Sequence, residues 1–318
     1  MTPSSLQAQI DDYLALRRGL GFQLDTPGTL LAEFARYAEG VGHHGPVTTD
    51  LAVRWALTTR SDDPAQAGRR LAAVRQFARH RAAFDPATEI PAVGLLAAVP
   101  RRRSQPHIYN DAEIAALLGQ ARLLLPHGGL RPATYVALFS LLASTGLRLS
   151  EACRLERDDV DLADGILTVR EGKFRKSRLV PLHPTATRAL TIYTTDRDSR
   201  PGALRSRGFF RTDRAPALMS DTVQKTFSRL RQRLGWTAEG RARRPRIHDL
   251  RHTFAVRRLL AWCIDGADVD RKVLALSTYL GHAKPSDTYW YLTAVPELMA
   301  VTTGCFEHFA RQPQENRA

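Results

Sequence analysis

The sequence predicts a mainly α-helical protein of two domains with one small antiparallel β-sheet. Three observations predict it. Apolar residues recur at helical spacing through residues 1–98, and a run of arginines bracketed by prolines interrupts the chain at 99–106. β-rich runs occur only between 158 and 181, with helical texture on both sides.

The first domain reads as four helices. Leu6, Ile10, Tyr13, Leu14 and Leu16 form an apolar stripe ended by Gly19 and Gly21. Leu30, Leu31, Phe34, Tyr37 and Ala38 repeat it after Thr26-Pro27, where proline stands early in the helix. A third helix spans Thr49 to Thr59, capped by Thr48 or Thr49 and carrying Leu51, Val53, Trp55 and Leu57. The fourth, 64–83, sets Leu71, Val74, Phe77 and Ala78 on one face and Arg69, Arg70, Arg75, Arg79, His80 and Arg81 around the rest.

Val99-Pro-Arg-Arg-Arg-Ser-Gln-Pro106 reads as a linker, because prolines at both ends disfavour regular structure. The second domain, 107–318, begins with a helix capped by Asn110 or Asp111 and running through Leu118. A helix from Pro132 to Ser144 is apolar almost all round and is expected in the core. Gly165–Val169 and Arg178–Pro181 form the expected hairpin. Helices follow from about 184, at 220–234, from Asp249 to Trp262, at 268–280 and near 296–310.

The formal charge is +14, with 46 Lys+Arg against 32 Asp+Glu, which favours a polyanionic partner held in a salt-dependent way. Cys153, Cys263 and Cys305 are scattered and odd in number, so the sequence suggests neither a disulfide framework nor a zinc site. No apolar run approaches the ~20 residues that span a bilayer, and no signal-peptide pattern opens the chain. A cytoplasmic protein without a membrane partner is expected.

Five short stretches carry chemistry: Thr145–Glu151, Gly172–Pro181, His248–His252, Leu280–His282 and Tyr289–Tyr291. Together they offer arginines, lysines, histidines and tyrosine hydroxyls. A phosphodiester repels nucleophiles and has a poor leaving group, so its cleavage needs a clamp on the non-bridging oxygens, a nucleophile and a proton donor. Arginine suits the clamp because its planar fork stays charged and donates paired hydrogen bonds. His248 and Arg251 stand three apart, on one side of a helix, while Asp249 and His252 are read as structural. Lys173 and Lys176 both lie at the hairpin tip. Tyr289 and Tyr291 lie about 200° apart around a helix, so only one can face a given phosphate. A zinc site of His248, His252 and His282 lacks a cysteine or carboxylate at a recognisable spacing.

The order, types and spacing of these motifs over residues 107–310 resemble the tyrosine recombinase, or phage-integrase, family. The resemblance implies a SAM-like helical core-DNA-binding clamp at 1–98 and a catalytic domain at 107–318. It implies a catalytic set of Arg148, Lys173, His248, Arg251, His282 and Tyr291. Lys173 is favoured over Lys176 as general acid, and Tyr291 over Tyr289 because the family's tyrosine lies nine residues after the second histidine. Tyr289 and Trp290 become packing residues, and Glu151 orients Arg148 or caps a helix. Arg69, Arg70, Arg75, Arg79, Arg101, Arg102, Arg103, Arg175, Lys176 and Arg178 become the expected DNA contacts.

The resemblance further implies no cofactor, since bond energy is kept in a 3′-phosphotyrosyl linkage. The implied partners are double-stranded DNA with a specific recombination site, a homotetramer on two duplexes passing through a Holliday junction, and room for accessory recombinases. Lys284-Pro285-Ser286 and Trp290 lie nearer the transposon-associated branch. The chain leaves no room before the clamp for an arm-binding module like that of larger phage integrases. A tail with Leu298, Met299, Val301, Phe306 and Phe309 is expected to dock on a neighbouring protomer or within its own domain. Two other functions share parts of the pattern: a type IB topoisomerase-like relaxing enzyme, and a DNA-binding protein on the same scaffold without strand transfer.

Overall fold

The computed structural model describes residues 5–59, 65–96, 105–170, 177–200, 206–237, 244–282, 284 and 286–294. The chain divides into two compact units, Met1–Arg103 and Ser104–Ala318. The division falls inside the segment read as a linker; of that segment, residues 99–104 lie outside the described ones.

The first unit is a bundle of α1 (Leu6–Gly19), α2 (Asp25–Gly40), α3 (Thr49–Leu57) and α4 (Ala65–Arg81). Thr48 caps α3 by accepting from the Leu51 amide. Ile10, Leu14, Leu31, Phe34, Leu51, Trp55, Leu71, Val74 and Phe77 form the core. Two leucines expected in it are at the surface: Leu16 is 52% exposed and Leu57 58%. Each lies two residues past a buried one, Leu14 or Trp55, and two residues turn a helix by about 200°. The buried face of α3 is completed by Ala52 and Ala56 instead.

The second unit begins with α5 (Asp111–Arg122), opened by an Asn110–Glu113 capping box. Next comes α6 (Leu130–Thr145), whose Leu138, Phe139, Leu141 and Leu142 are buried in the main core. A short helix, α7 (Leu149–Cys153), leads into β1 (Val160–Asp161), β2 (Ile166–Val169) and β3 (Arg178–Pro181). The sheet is antiparallel in the order β1-β2-β3, with Leu167 opposite Val180 and Val169 opposite Arg178. Leu167, Val169 and Val180 point inward, as strand alternation requires.

Five helices complete the unit: α8 (Pro184–Asp198), α9 (Ser220–Arg233), α10 (Asp249–Ile264), α11 (Val269–Leu280) and α12 (Ser286–Ala294). The last three share a second core containing Ala255, Leu259, Val273, Leu276, Leu280 and Tyr291. Helix α7, a single turn, goes beyond the sequence expectation, and α12 is the helix expected around Tyr289 and Tyr291. Cys153 and Cys263 are buried free thiols. The tail expected near 296–310, with Cys305, lies outside the described residues. No helix of the described residues is long and apolar enough to cross a membrane.

Candidate active site

The site is organised by the end of one helix. Helix α11 stops at Gly281, whose φ of 68° places it in the left-handed region open to glycine. Its last carbonyls have no partner within the helix and carry the negative end of the helix dipole. Three arginines from three other elements take them in turn. Arg178 Nε donates to the Tyr279 carbonyl at 2.7 Å, Arg251 Nη2 to Leu280 at 2.8 Å, and Arg148 Nη2 to Gly281 at 2.7 Å. A Cβ on Gly281 would stand 2.8 Å from Arg178 Nη1 and push that guanidinium aside, so glycine suits both the backbone and the arginine.

Arg148 is the N-cap residue of α7. Its amide donates to Glu151 Oε2 at 3.0 Å and its Nη1 to Oε1 at 2.6 Å. Arg178 reaches the same carboxylate with Nη1 and Nη2, at 3.2 and 2.9 Å. Glu151 is buried. Burial pushes its carboxyl up, but the Arg178 hydrogen bonds and charge, then Arg148, hold it down at about 2. Glu151 thus both caps α7 and orients Arg148. Arg178, expected on the DNA backbone, is instead held inside this network with its side chain 11% exposed. Its position in β3, opposite Val169, turns it toward the core.

Arg251 lies in the first turn of α10 and is 2% exposed. Besides Leu280 it donates through Nη1 to the Gly146 carbonyl at 2.8 Å. Burial, then the nearby Arg148 charge, pushes its guanidinium down to about 10. Two of its five donors are taken by carbonyls, so the group keeps capacity for a further acceptor. Gly146 ends α6 at a φ of 64°, and a Cβ there would meet the Phe254 ring at 2.7 Å.

The histidines and the tyrosine gather near Arg251. His248 and His252 stack edge to face, with ring centroids 4.8 Å apart. His252, expected to be structural, instead meets Tyr291, with 2.9 Å between Nδ1 and Oη. Residues four apart turn about 40°, so His252 shares the face of His248. His282 Nδ1 lies 2.7 Å from Thr288 Oγ1, and its ring lies nearly parallel to Tyr291, with 22° between planes and 6.3 Å between centroids. Tyr291 is 2% exposed.

Burial, then the surrounding positive groups, push His252 down to about 3 and His282 to about 4. Desolvation, then Arg251 and Arg246, shifts His248 in the same direction, although His248 is exposed. All three imidazoles are therefore neutral near pH 7. Asp249 keeps the structural part expected of it, accepting from the Arg246 amide and guanidinium at the start of α10.

Tyr289 is not a packing residue. It is 37% exposed and donates to Asp270 Oδ1 at 3.1 Å. Trp290 is half-buried against His252. A groove of about 530 Å³ opens beside Arg148 and His248, walled by Ser220, Gln224 and Ser228 of α9 with Arg231 and Arg246. Lys173, Arg175 and Lys176, and Arg101, Arg102 and Arg103, lie outside the described residues.

In the first unit, Arg70 stacks on Trp55 and donates to its carbonyl at 3.2 Å, while Arg75 caps the Pro91 and Ala92 carbonyls. Arg69 and Arg79 are exposed. Among the described residues, no three His, Cys, Asp or Glu side chains are grouped to hold a metal ion.

The Phage integrase family matches residues 113–297, a span that contains Arg148, His248, Arg251, His282 and Tyr291. This chain belongs to that family. It is therefore a tyrosine recombinase, an enzyme of site-specific DNA cleavage and rejoining. The putative integrase/recombinase y4rB of Sinorhizobium fredii (strain NBRC 101917 / NGR234) is 39% identical over 301 residues, covering 93% of this chain and 95% of its own. Tyrosine recombinase XerD of Mycobacterium tuberculosis (strain ATCC 25618 / H37Rv) is 32% identical over 314 residues, covering 92% and 94%. The crystal structure of a lambda integrase tetramer bound to a Holliday junction shares the fold, with a TM-score of 0.58 at 18% identity over 89% of this chain and 79% of that one.

Proposed function

We propose that Tyr291 is the nucleophile of this recombinase and that Arg148 and Arg251 clamp the scissile phosphate. His248 and His282 complete the clamp, and Lys173 is the general acid. The observation that carries the reading is the convergence of Arg148, Arg251, His282 and Tyr291 at the end of α11. No other described tyrosine is both buried and against this arginine and histidine cluster, since Tyr289 faces Asp270.

The phenolic oxygen attacks phosphorus, the bond to the 5′ oxygen breaks, and Lys173 protonates that oxygen. The arginines hold the charge that grows on the non-bridging oxygens. A 5′ hydroxyl from a partner duplex then attacks the 3′-phosphotyrosyl bond and releases the tyrosine. Phosphodiester energy is kept throughout, so the reaction needs no nucleotide. The partners are two DNA duplexes carrying a specific site, brought together by four protomers through a Holliday junction. The exposed Arg69 and Arg79, with the basic segments at 101–103 and 175–176, supply backbone contacts. Membership of the family and the fold shared with a tetramer on a Holliday junction support this arrangement.

Covalent capture tests the reading. Wild type and Tyr291→Phe are incubated with DNA fragments flanking the gene, denatured in detergent and assayed for protein-linked DNA. Adducts with wild type alone support it, and sequencing their ends gives the site. Adducts that persist in Tyr291→Phe refute the nucleophile, and no adduct on fragments bound specifically by wild type refutes strand cleavage.

A further inference from the structure

The side chain of His252 reaches the Tyr291 hydroxyl, and His252 lies outside the six residues assigned above. Its Nδ1 stands 2.9 Å from Oη, the atom that must lose a proton before or during attack. The ring is fixed from three sides: His248 meets it edge to face, Trp290 packs against it at 5.8 Å, and Tyr291 itself lies at 5.4 Å. A tyrosine hydroxyl ionises near ~10 in water, so a base at the hydroxyl matters for a reaction at neutral pH.

We propose that His252 Nδ1 is the base that takes the proton of the Tyr291 hydroxyl as that oxygen attacks the phosphate. The proposal rests on the reading of Tyr291 as nucleophile. The step balances within the protein. The proton leaves Oη for Nδ1 as the O–P bond forms, while the bond to the 5′ oxygen breaks and that oxygen takes a proton from the general acid. Rejoining reverses both transfers, and the imidazolium returns its proton to the departing tyrosine.

The charges around His252 give the step a trigger. His248, Arg246 and Arg251 face it from its own helix and the turn before, His282 from the turn between α11 and α12, and Tyr291 from α12. With no phosphate bound, burial and then the charges of Arg246 and Arg251 keep the imidazole neutral, with a lone pair available. A phosphate held by Arg148 and Arg251 offsets that charge and raises the basicity of the imidazole. The base is thereby strengthened by the substrate it serves.

The test uses the captured site remade with sulfur in place of the bridging 5′ oxygen, a leaving group that needs no acid. His252→Asn keeps an acceptor near the Nδ1 position but cannot take up the proton. It should slow single-turnover adduct formation about a hundredfold on both the sulfur and the ordinary DNA, the usual scale of a lost general base. The wild-type rate on the sulfur DNA should fall about tenfold per pH unit on its acid limb. His252→Asn cleaving within about threefold of wild type overturns the proposal. A flat wild-type profile overturns it too, and that measurement stands even where the variant fails to fold. If wild type forms adducts that Tyr291→Phe lacks while His252→Asn is unimpaired, only this inference fails; if wild type forms none, the nucleophile reading itself has failed.

Discussion

Arg178, on the hairpin, and Glu151, in a single-turn helix, meet in a two-pronged ion pair: Nη1 lies 3.2 Å from Oε1 and Nη2 2.9 Å from Oε2. Through Glu151 the pair reaches Arg148, and through the Tyr279 carbonyl it reaches the end of α11. Strand β3 is thereby tied to Arg148 and to the end of α11.

Removing Arg178 takes two of the hydrogen bonds from the buried Glu151 carboxylate and leaves Arg148 to balance its charge. Arg178→Met should destabilise the protein by roughly 3–5 kcal/mol, and Arg178→Met combined with Glu151→Gln by less than the single change. Urea unfolding of the two variants and of Glu151→Gln alone checks this. Equal stability of Arg178→Met and wild type would show the pair to be unimportant.

Gly281→Ala should cost stability twice over. The left-handed backbone contributes roughly 1–2 kcal/mol, and the new Cβ, 2.8 Å from Arg178 Nη1, displaces the arginine. DNA cleavage should fall further than the loss of folded protein explains, because the Gly281 carbonyl holds Arg148. Thermal melting and adduct formation on the same preparation separate the two effects.

Stability should fall with pH in two stages. His252 and His282 have folded values of about 3 and 4, below the ~6.5 of an unfolded imidazole. The unfolded chain therefore binds protons first, and stability drops as pH falls from about 6.5 toward those values. Glu151, at about 2 against ~4.3 unfolded, adds a second loss below about pH 4. Urea midpoints at pH 7.5, 6, 5 and 4 should decline steadily, and His252→Asn should flatten the decline between 6 and 4. A midpoint that rises on acidification contradicts the burial of these imidazoles.

Much of this was legible in the sequence because it is local. Apolar spacing set α1, α2 and α4, and Asn110 followed by Glu113 marked the start of α5. In α3 the alternation of Leu51, Val53, Trp55 and Leu57 hid a buried face built partly of Ala52 and Ala56. The site residues were legible as types in short motifs. Their support was not, because it depends on tertiary approach: Arg178 lies 27 residues from Glu151, and His252 39 from Tyr291. His252 could have been found from its helical offset to His248. Tyr289 gave no signal that Asp270 would hold it at the surface.

Locating the DNA linkage within α12 tests the central claim most directly. Adducts trapped on the captured site are digested, and the residual nucleotide is placed by tandem mass spectrometry of the peptide containing Tyr289 and Tyr291. The account predicts phosphotyrosine linkage at Tyr291 alone, the tyrosine beside His252 and His282. Linkage at Tyr289 would contradict it, since that hydroxyl is at the surface and donates to Asp270.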